Sequence, residues 1–292
     1  MTEQIVFYGK GGVGKSTLIS NISAAMVEAG FKVMQVGCDP KADSCSILNG
    51  GFPIPTVSDR LRKNGSFRIA DEIHQGFKGI NCIELGDPGN GDSGAFLEIQ
   101  KIFDLIEQGR LFEETKPDYA LYDVSGEHSF AEYHEPIRQL GARLVYVVTT
   151  ADFMSLSAAN TIYATLERLG ESQVPIPFGG LIPNGISNSF EESLISDFAK
   201  HTRTNTLGRV PRSLVVRQCE LYGKTVIEAA PLSNQSYYYR RLANQIVDQS
   251  NSLKIKNQPQ ALTGDGLRSW AREWADRLYV MENGLVTDGA AI

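Results

Sequence analysis

The chain has 292 residues, of which 42% are hydrophobic and 21% charged, with a formal net charge of -6. That length suits one large α/β domain with a substantial core, or two small ones. The acidic balance argues against non-specific binding to nucleic acid or anionic membrane, and no apolar run approaches the roughly 20 residues that cross a bilayer.

Residues 5–8 form a short apolar run that stops at a glycine-rich turn, the pattern of a buried strand. Nothing before them resembles a signal peptide, so the cytoplasm is the expected location. Residues 16–29 carry apolar side chains at helical spacing, with Gly30 as a stop signal. A strand is predicted at 32–36, then loops and short helices through the Gly, Pro and charge-rich stretch 50–78. Further strands are predicted at 79–85, 119–122, 144–148, 177–183 and near 207–210. Helices are predicted at 95–107, 155–169, 190–201 and 234–250. Strands alternating with helices imply an α/β doubly wound, mostly parallel sheet covered on both faces.

This pattern divides the chain into an α/β domain at 1–250, a polar linker at 251–266 and a C-terminal helical extension at 267–292. In the extension, Leu267, Trp270, Ala271, Trp274 and Leu278 share one helical face. That face is expected to dock on its own domain or on a partner. Three arginines against four acids between 265 and 282 do not favour a lipid surface. The cysteines Cys38, Cys45, Cys82 and Cys219 lack C-x-x-C spacing and read as small buried hydrophobes.

Gly9-x-x-x-x-Gly14-Lys15-Ser16 matches the phosphate-loop pattern and lies between a strand and a helix. Glycines let the backbone wrap close to phosphate with its N–H groups inward. The helix N-terminus adds a positive dipole end. Lys15 is expected to reach the β- and γ-phosphates and Ser16 to ligate Mg²⁺. Gly9, Gly11, Gly12, Val13, Gly14, Lys15, Ser16 and Thr17 therefore form the expected nucleotide-binding set. Asp123 ends the apolar strand before it, where a Mg²⁺-site carboxylate belongs.

Phosphate cradling does not need Lys10. The run G-K-G-G-V-G-K-S resembles the deviant Walker A class of dimeric ATPases, and this resemblance implies that Lys10 crosses a subunit interface to the partner's nucleotide. Val36-Gly37-Cys38-Asp39-Pro40-Lys41-Ala42-Asp43-Ser44 resembles switch I of the nitrogenase iron protein family, which includes the ATPase subunits of dark-operative protochlorophyllide reductases. Asp123-Val124-Ser125-Gly126-Glu127 is similar to its switch II, and residues 136–138, 180–184, 210–212 and 225–228 also match in order. The resemblance implies a homodimeric ATPase. Asp39 would orient the attacking water, with Glu127 as second candidate. Asp43 and Asp123 would support Mg²⁺, and Asn184 would contact adenine. Lys41 and Pro211 would join the nucleotide site. Ser213 stands where the family often has an acid.

The family's cluster ligands are missing. Each subunit of the family gives two cysteines to a bridging [4Fe–4S] cluster. Here Asp92 and Phe130 occupy those positions, and Ala95 replaces an arginine used in docking a partner. Cluster irons are held mainly by thiolates. His128 and His134 are nearby alternatives, but each reads more simply as a polar surface residue. The expectation is a Mg-ATP-driven dimeric switch without a cluster, whose face around Asp92 and Phe130 docks a protein partner. An electron-donating reductase component with unusual ligation is the alternative. A DNA- or membrane-positioning ATPase is disfavoured by the charge and the switch sequences. A non-catalytic nucleotide binder is disfavoured by Lys15, Ser16, Asp39 and Asp123.

Overall fold

The sheet strands are apolar on both sides because helices cover both faces. The structure, a computed structural model, describes residues 2–63, 67–87, 94–124, 129–172, 176–252 and 258–283. Its strands are β1 Glu3–Tyr8, β2 Val33–Cys38, β3 His74–Gln75, β4 Asn81–Glu84, β5 Tyr119–Val124, β6 Leu144–Thr149, β7 Phe178–Ile186 and β8 Val210–Pro211. The helices are α1 Lys15–Glu28, α2 Val57–Lys63, α3 Gly94–Gln108, α4 Leu111–Thr115, α5 Ser129–Gln139, α6 Phe153–Ser172, α7 Ser189–His201, α8 Leu214–Leu221, α9 Val226–Ala229, α10 Asn234–Ser252 and α11 Gly264–Asn283.

The strand order is β3-β4-β2-β5-β1-β6-β7-β8. All these pairings are parallel except β3 with β4. The doubly wound α/β fold expected from the alternation is the fold observed. β1 lies at the switch point, with β5 on one side and β6 on the other. In open α/β sheets, the crevice at the carboxyl ends of such strands is where ligands bind.

Alternation along the strands splits the core in two. Val6, Tyr8, Val36, Tyr122, Val145 and Val147 face one cluster with residues of α3, α5, α6, α7 and α11. Ile5, Phe7, Leu121, Tyr146 and Val148 face the other, against α1 and α10. α1 stops where Gly30 adopts φ 94, a left-handed conformation that suits glycine.

The periodicity gave no warning of α5, which contains Pro136. Proline removes an interior backbone donor, so it reads as a breaker. Tyr133 and Ile137 on this helix are nevertheless buried in the first cluster, and that packing outweighs the proline. Short α4, α8 and α9 also escaped the periodicity, being too brief to show one.

α11 docks on its own chain. Leu267, Trp270 and Trp274 are buried in the first cluster. Both indole N–H groups donate to Oδ2 of Asp197 on α7, each at 2.9 Å. The segment leading to α11 is stitched down as well. Gln260 N donates to Thr202 O at 2.8 Å, and Leu262 exchanges two hydrogen bonds with the Asn160 amide. Among the described residues, no helix is long and apolar enough to cross a membrane.

Asp197 thus holds two indoles at once. Asp197→Ala leaves both N–H groups without their acceptor and is expected to cost about 2 kcal/mol of unfolding free energy in urea titrations. An unchanged midpoint and slope would refute this anchoring role.

Candidate nucleotide site

The loop between β1 and α1 is shaped by its glycines. Gly9 has φ 156, and a Cβ there would strike the Val148 carbonyl of β6. Gly14 has φ 80, and its added Cβ would lie 2.7 Å from Nδ2 of Asn184. That same amide donates to Val13 O at 2.7 Å, so β7 buttresses the loop from behind. Lys10 is half-buried, and its carbonyl accepts from Val13 N at 3.4 Å. Gly11 and Gly12 are exposed and Val13 is buried. Gly14 is the N-cap of α1 and offers no side-chain acceptor, so the first-turn N–H groups remain available to an anion.

Lys15 opens α1 and is only 5% exposed. Its Nζ lies 3.9 Å from Oδ1 of Asp123. Asp123 is fully buried, yet neither carboxylate oxygen has a hydrogen-bond partner among the described residues. An unsatisfied buried carboxylate is costly. Its place at the end of β5, level with Phe7 of β1 and Gly37 of β2, sets it beside the loop. The donor set fits Mg²⁺, a hard cation that takes oxygen ligands: the free Asp123 oxygens with the half-buried Ser16 hydroxyl nearby in sequence to Lys15.

The segment after β2 is a tight turn. Asp39 is half-buried, and its Oδ1 accepts from Lys41 N at 2.9 Å. Ala42 follows with φ 51. Lys41 and Asp43 are exposed. Desolvation, then the Asp39 carboxylate, raises the Asp43 carboxyl above its ordinary range. Thr17 Oγ1 donates to Oε1 of Glu220 at 2.5 Å, which ties α1 to α8. Pro211 lies on edge strand β8, where its carbonyl accepts from Gln235 Nε2 at 3.3 Å. Ser213 caps α8 by accepting from Val215 N at 3.2 Å.

The site therefore brings together Lys15 with Asp123 and Asn184 with Val13 and Gly14. Asp92, Glu127 and His128 lie outside the described residues, as does the side chain of Phe130. His134 corrects an expectation: it is not a polar surface residue. It is 2% exposed, with Nδ1 3.4 Å from the Tyr8 hydroxyl. Burial pulls its pKa down to about 4.

Two acids escaped the sequence reading. Glu220 sits on a helix too short to be recognised. Glu84 ends β4 and is 1% exposed; its only signal was a carboxylate closing an apolar strand. Burial pushes its pKa up to about 8, despite the Cys45 backbone N–H that its carboxyl accepts.

The family model described as "4Fe-4S iron sulfur cluster binding proteins, NifH/frxC family" matches residues 3–274. A "Nitrogenase iron protein 2" of Paenibacillus durus is 43% identical over 289 residues, covering 99% of this chain and 97% of that protein. A protein of the same name from Methanothermococcus thermolithotrophicus is 39% identical over 262 residues, covering 84% and 88%. Among solved structures, the cell division ATPase MinD of Pyrococcus furiosus aligns with a TM-score of 0.64 at 21% identity, covering 85% of this chain and 99% of that one. MinD of Pyrococcus horikoshii, solved with Mg-ADP, aligns at 0.65 and 22% identity, covering 88% and 100%. At such identities the likeness speaks for the fold.

Glu84 yields a pH prediction. A carboxyl with pKa near 8 in the fold and 4.5 ordinarily binds more protons when folded across that window. Its contribution to stability is therefore lost as pH rises from about 4.5 to about 8. Glu84→Gln cannot ionise, so its thermal midpoint should gain on the parent's across this range by calorimetry. Parallel curves for the two proteins would contradict the assignment.

Proposed function

The chain belongs to the NifH/frxC family, and from that premise we propose that it is a Mg-ATP-dependent homodimeric switch ATPase that works without a [4Fe–4S] cluster. The observation that carries the ATPase reading is Asp123, buried without a hydrogen-bond partner and 3.9 Å from the P-loop lysine.

In this reading the loop N–H groups and the α1 dipole hold the phosphates, and Lys15 neutralises charge that builds on them in the transition state. Mg²⁺, held by Ser16 and Asp123 with support from Asp43, would neutralise further phosphate charge when bound. Asp39 orients the attacking water, with Glu127 as second candidate. Lys10 reaches across the dimer to the partner's nucleotide. Asn184, Lys41 and Pro211 line the nucleotide's remaining side. Most of the acceleration comes from positioning and charge stabilisation, because phosphoryl transfer asks little covalent chemistry of the protein. Residues 1–250 carry this engine, 251–266 link it, and 267–292 form an extension. The protein works in the cytoplasm.

The thiols support the loss of the cluster. All four cysteines are free and buried. Burial raises Cys38, Cys45 and Cys219 above the ordinary thiol range, which disfavours the thiolate that iron needs. Cys38 ends β2, Cys82 lies in β4, Cys219 is in α8 and Cys45 follows switch I. None stands at the positions held by Asp92 and Phe130. The donor set does not fit a bridging cluster. The face around Asp92 and Phe130 would instead bind and release a protein partner as ATP turns over.

The family's description supports a second reading, an ATP-dependent electron donor with non-cysteine ligation. Iron and acid-labile sulfide in anaerobically purified protein separate the two. The switch predicts neither above trace, whereas about four irons per dimer would establish a cluster. Turnover is tested in parallel. Lys15→Ala should lower kcat by about 100-fold and Asp39→Asn by at least about 10-fold. If both hydrolyse ATP like the parent, the site is wrongly placed.

A further inference from the structure

Glu84 takes no part in the chemistry above, yet its surroundings are built with care. Its Oε1 accepts the Cys45 N–H at 2.6 Å. Its Oε2 is buried and has no hydrogen-bond partner. Gly37 pairs in register with Glu84 on one side and Asp123 on the other. A Cβ on Gly37 would collide with the Glu84 carboxyl. A glycine in the middle of the sheet thus makes room for a buried acid, which lies across β2 from Asp123.

The Cys45 N–H belongs to the same peptide unit as the Ser44 carbonyl. That carbonyl accepts from Gln35 Nε2 at 2.7 Å and from Ser20 Oγ at 3.1 Å. One peptide plane is therefore gripped on both edges. Ser20 lies on α1, five residues beyond Lys15, and Gln35 lies on β2. The six residues 39–44 run between this gripped peptide and the end of β2. Asp39, Lys41 and Asp43 are among them. Both ends of the loop are fixed, so its acids have few places to go.

We propose that Glu84 is a positioning residue for switch I: by holding the 44–45 peptide against α1 and β2, it sets Asp39 and Asp43 for catalysis. This rests on the ATPase reading above. An apolar residue at position 84 would leave the Cys45 N–H buried and unpaired. Glutamine keeps an acceptor oxygen of the same reach. A displaced loop spoils attack geometry more than nucleotide affinity, so the loss falls on kcat.

The test compares the full-length parent with Glu84→Ala and Glu84→Gln, using steady-state ATPase kinetics and hydrogen exchange at the Cys45 amide. Glu84→Ala is expected to lower kcat about 30-fold and leave KM for MgATP within about threefold. Its Cys45 amide should exchange about 100-fold faster than the parent's. Glu84→Gln should restore both to within about threefold. Should Glu84→Ala not fold, Glu84→Asp withdraws the acceptor by one methylene and reads the same way. Parental kcat or a still-protected Cys45 amide in the alanine variant overturns the proposal. So does a folded glutamine variant that falls as far as alanine. A parent that does not hydrolyse ATP sinks the ATPase reading and the catalytic role with it; an active parent with unaffected variants sinks the positioning role alone.

Discussion

The carboxylate of Asp123 is the constraint around which the site is arranged. It is fully buried, lacks a hydrogen-bond donor and lies 3.9 Å from Lys15. An ionised group in that state costs several kcal/mol unless another charge compensates it. Lys15 supplies part of the compensation, and a Mg²⁺ ion would supply the rest. The fold tolerates the strain because Asp123 lies near the carboxyl end of a strand locked between β1 and β2, with apolar neighbours on both faces.

Topology then supplies the rest of the constellation. The phosphate loop follows β1, residues 39–44 follow β2, and Asn184 lies on β7. All lie toward the carboxyl ends of parallel strands on either side of or including β1, where the sheet order reverses. Close approach requires glycine where the backbone or a neighbouring side chain leaves no room for Cβ. Gly9 meets the Val148 carbonyl, Gly14 meets Asn184, and Gly37 meets Glu84. The last of these sets buried Glu84 across β2 from Asp123.

How much was legible follows from length scale. The phosphate loop could be read because its steric demands are local and fall on consecutive residues. The long strands and α1, α6, α7 and α10 could be read because each is long enough to show a period. α5 could not, since Pro136 opposes it and the burial of Tyr133 and Ile137 in the first cluster, which helps hold it, is set by residues distant in sequence. The apolar face of α11 was visible, but Asp197 as acceptor for both indoles was not, being more than seventy residues away. His134 was misread as a surface group because a lone histidine gives no sign of burial. Glu84 was passed over because its partners, Cys45 and Gly37, come from another strand and its following loop.

Asp123, Lys15 and Ser16 as one Mg-nucleotide centre are the central claim, and manganese in place of magnesium tests it most directly. Mn²⁺ is titrated into the full-length protein with ATP and followed by electron paramagnetic resonance. The account predicts one Mn²⁺ per bound nucleotide, with affinity about tenfold or more weaker in Asp123→Asn. Equal Mn²⁺ affinity in the parent and in a folded Asp123→Asn variant would contradict it.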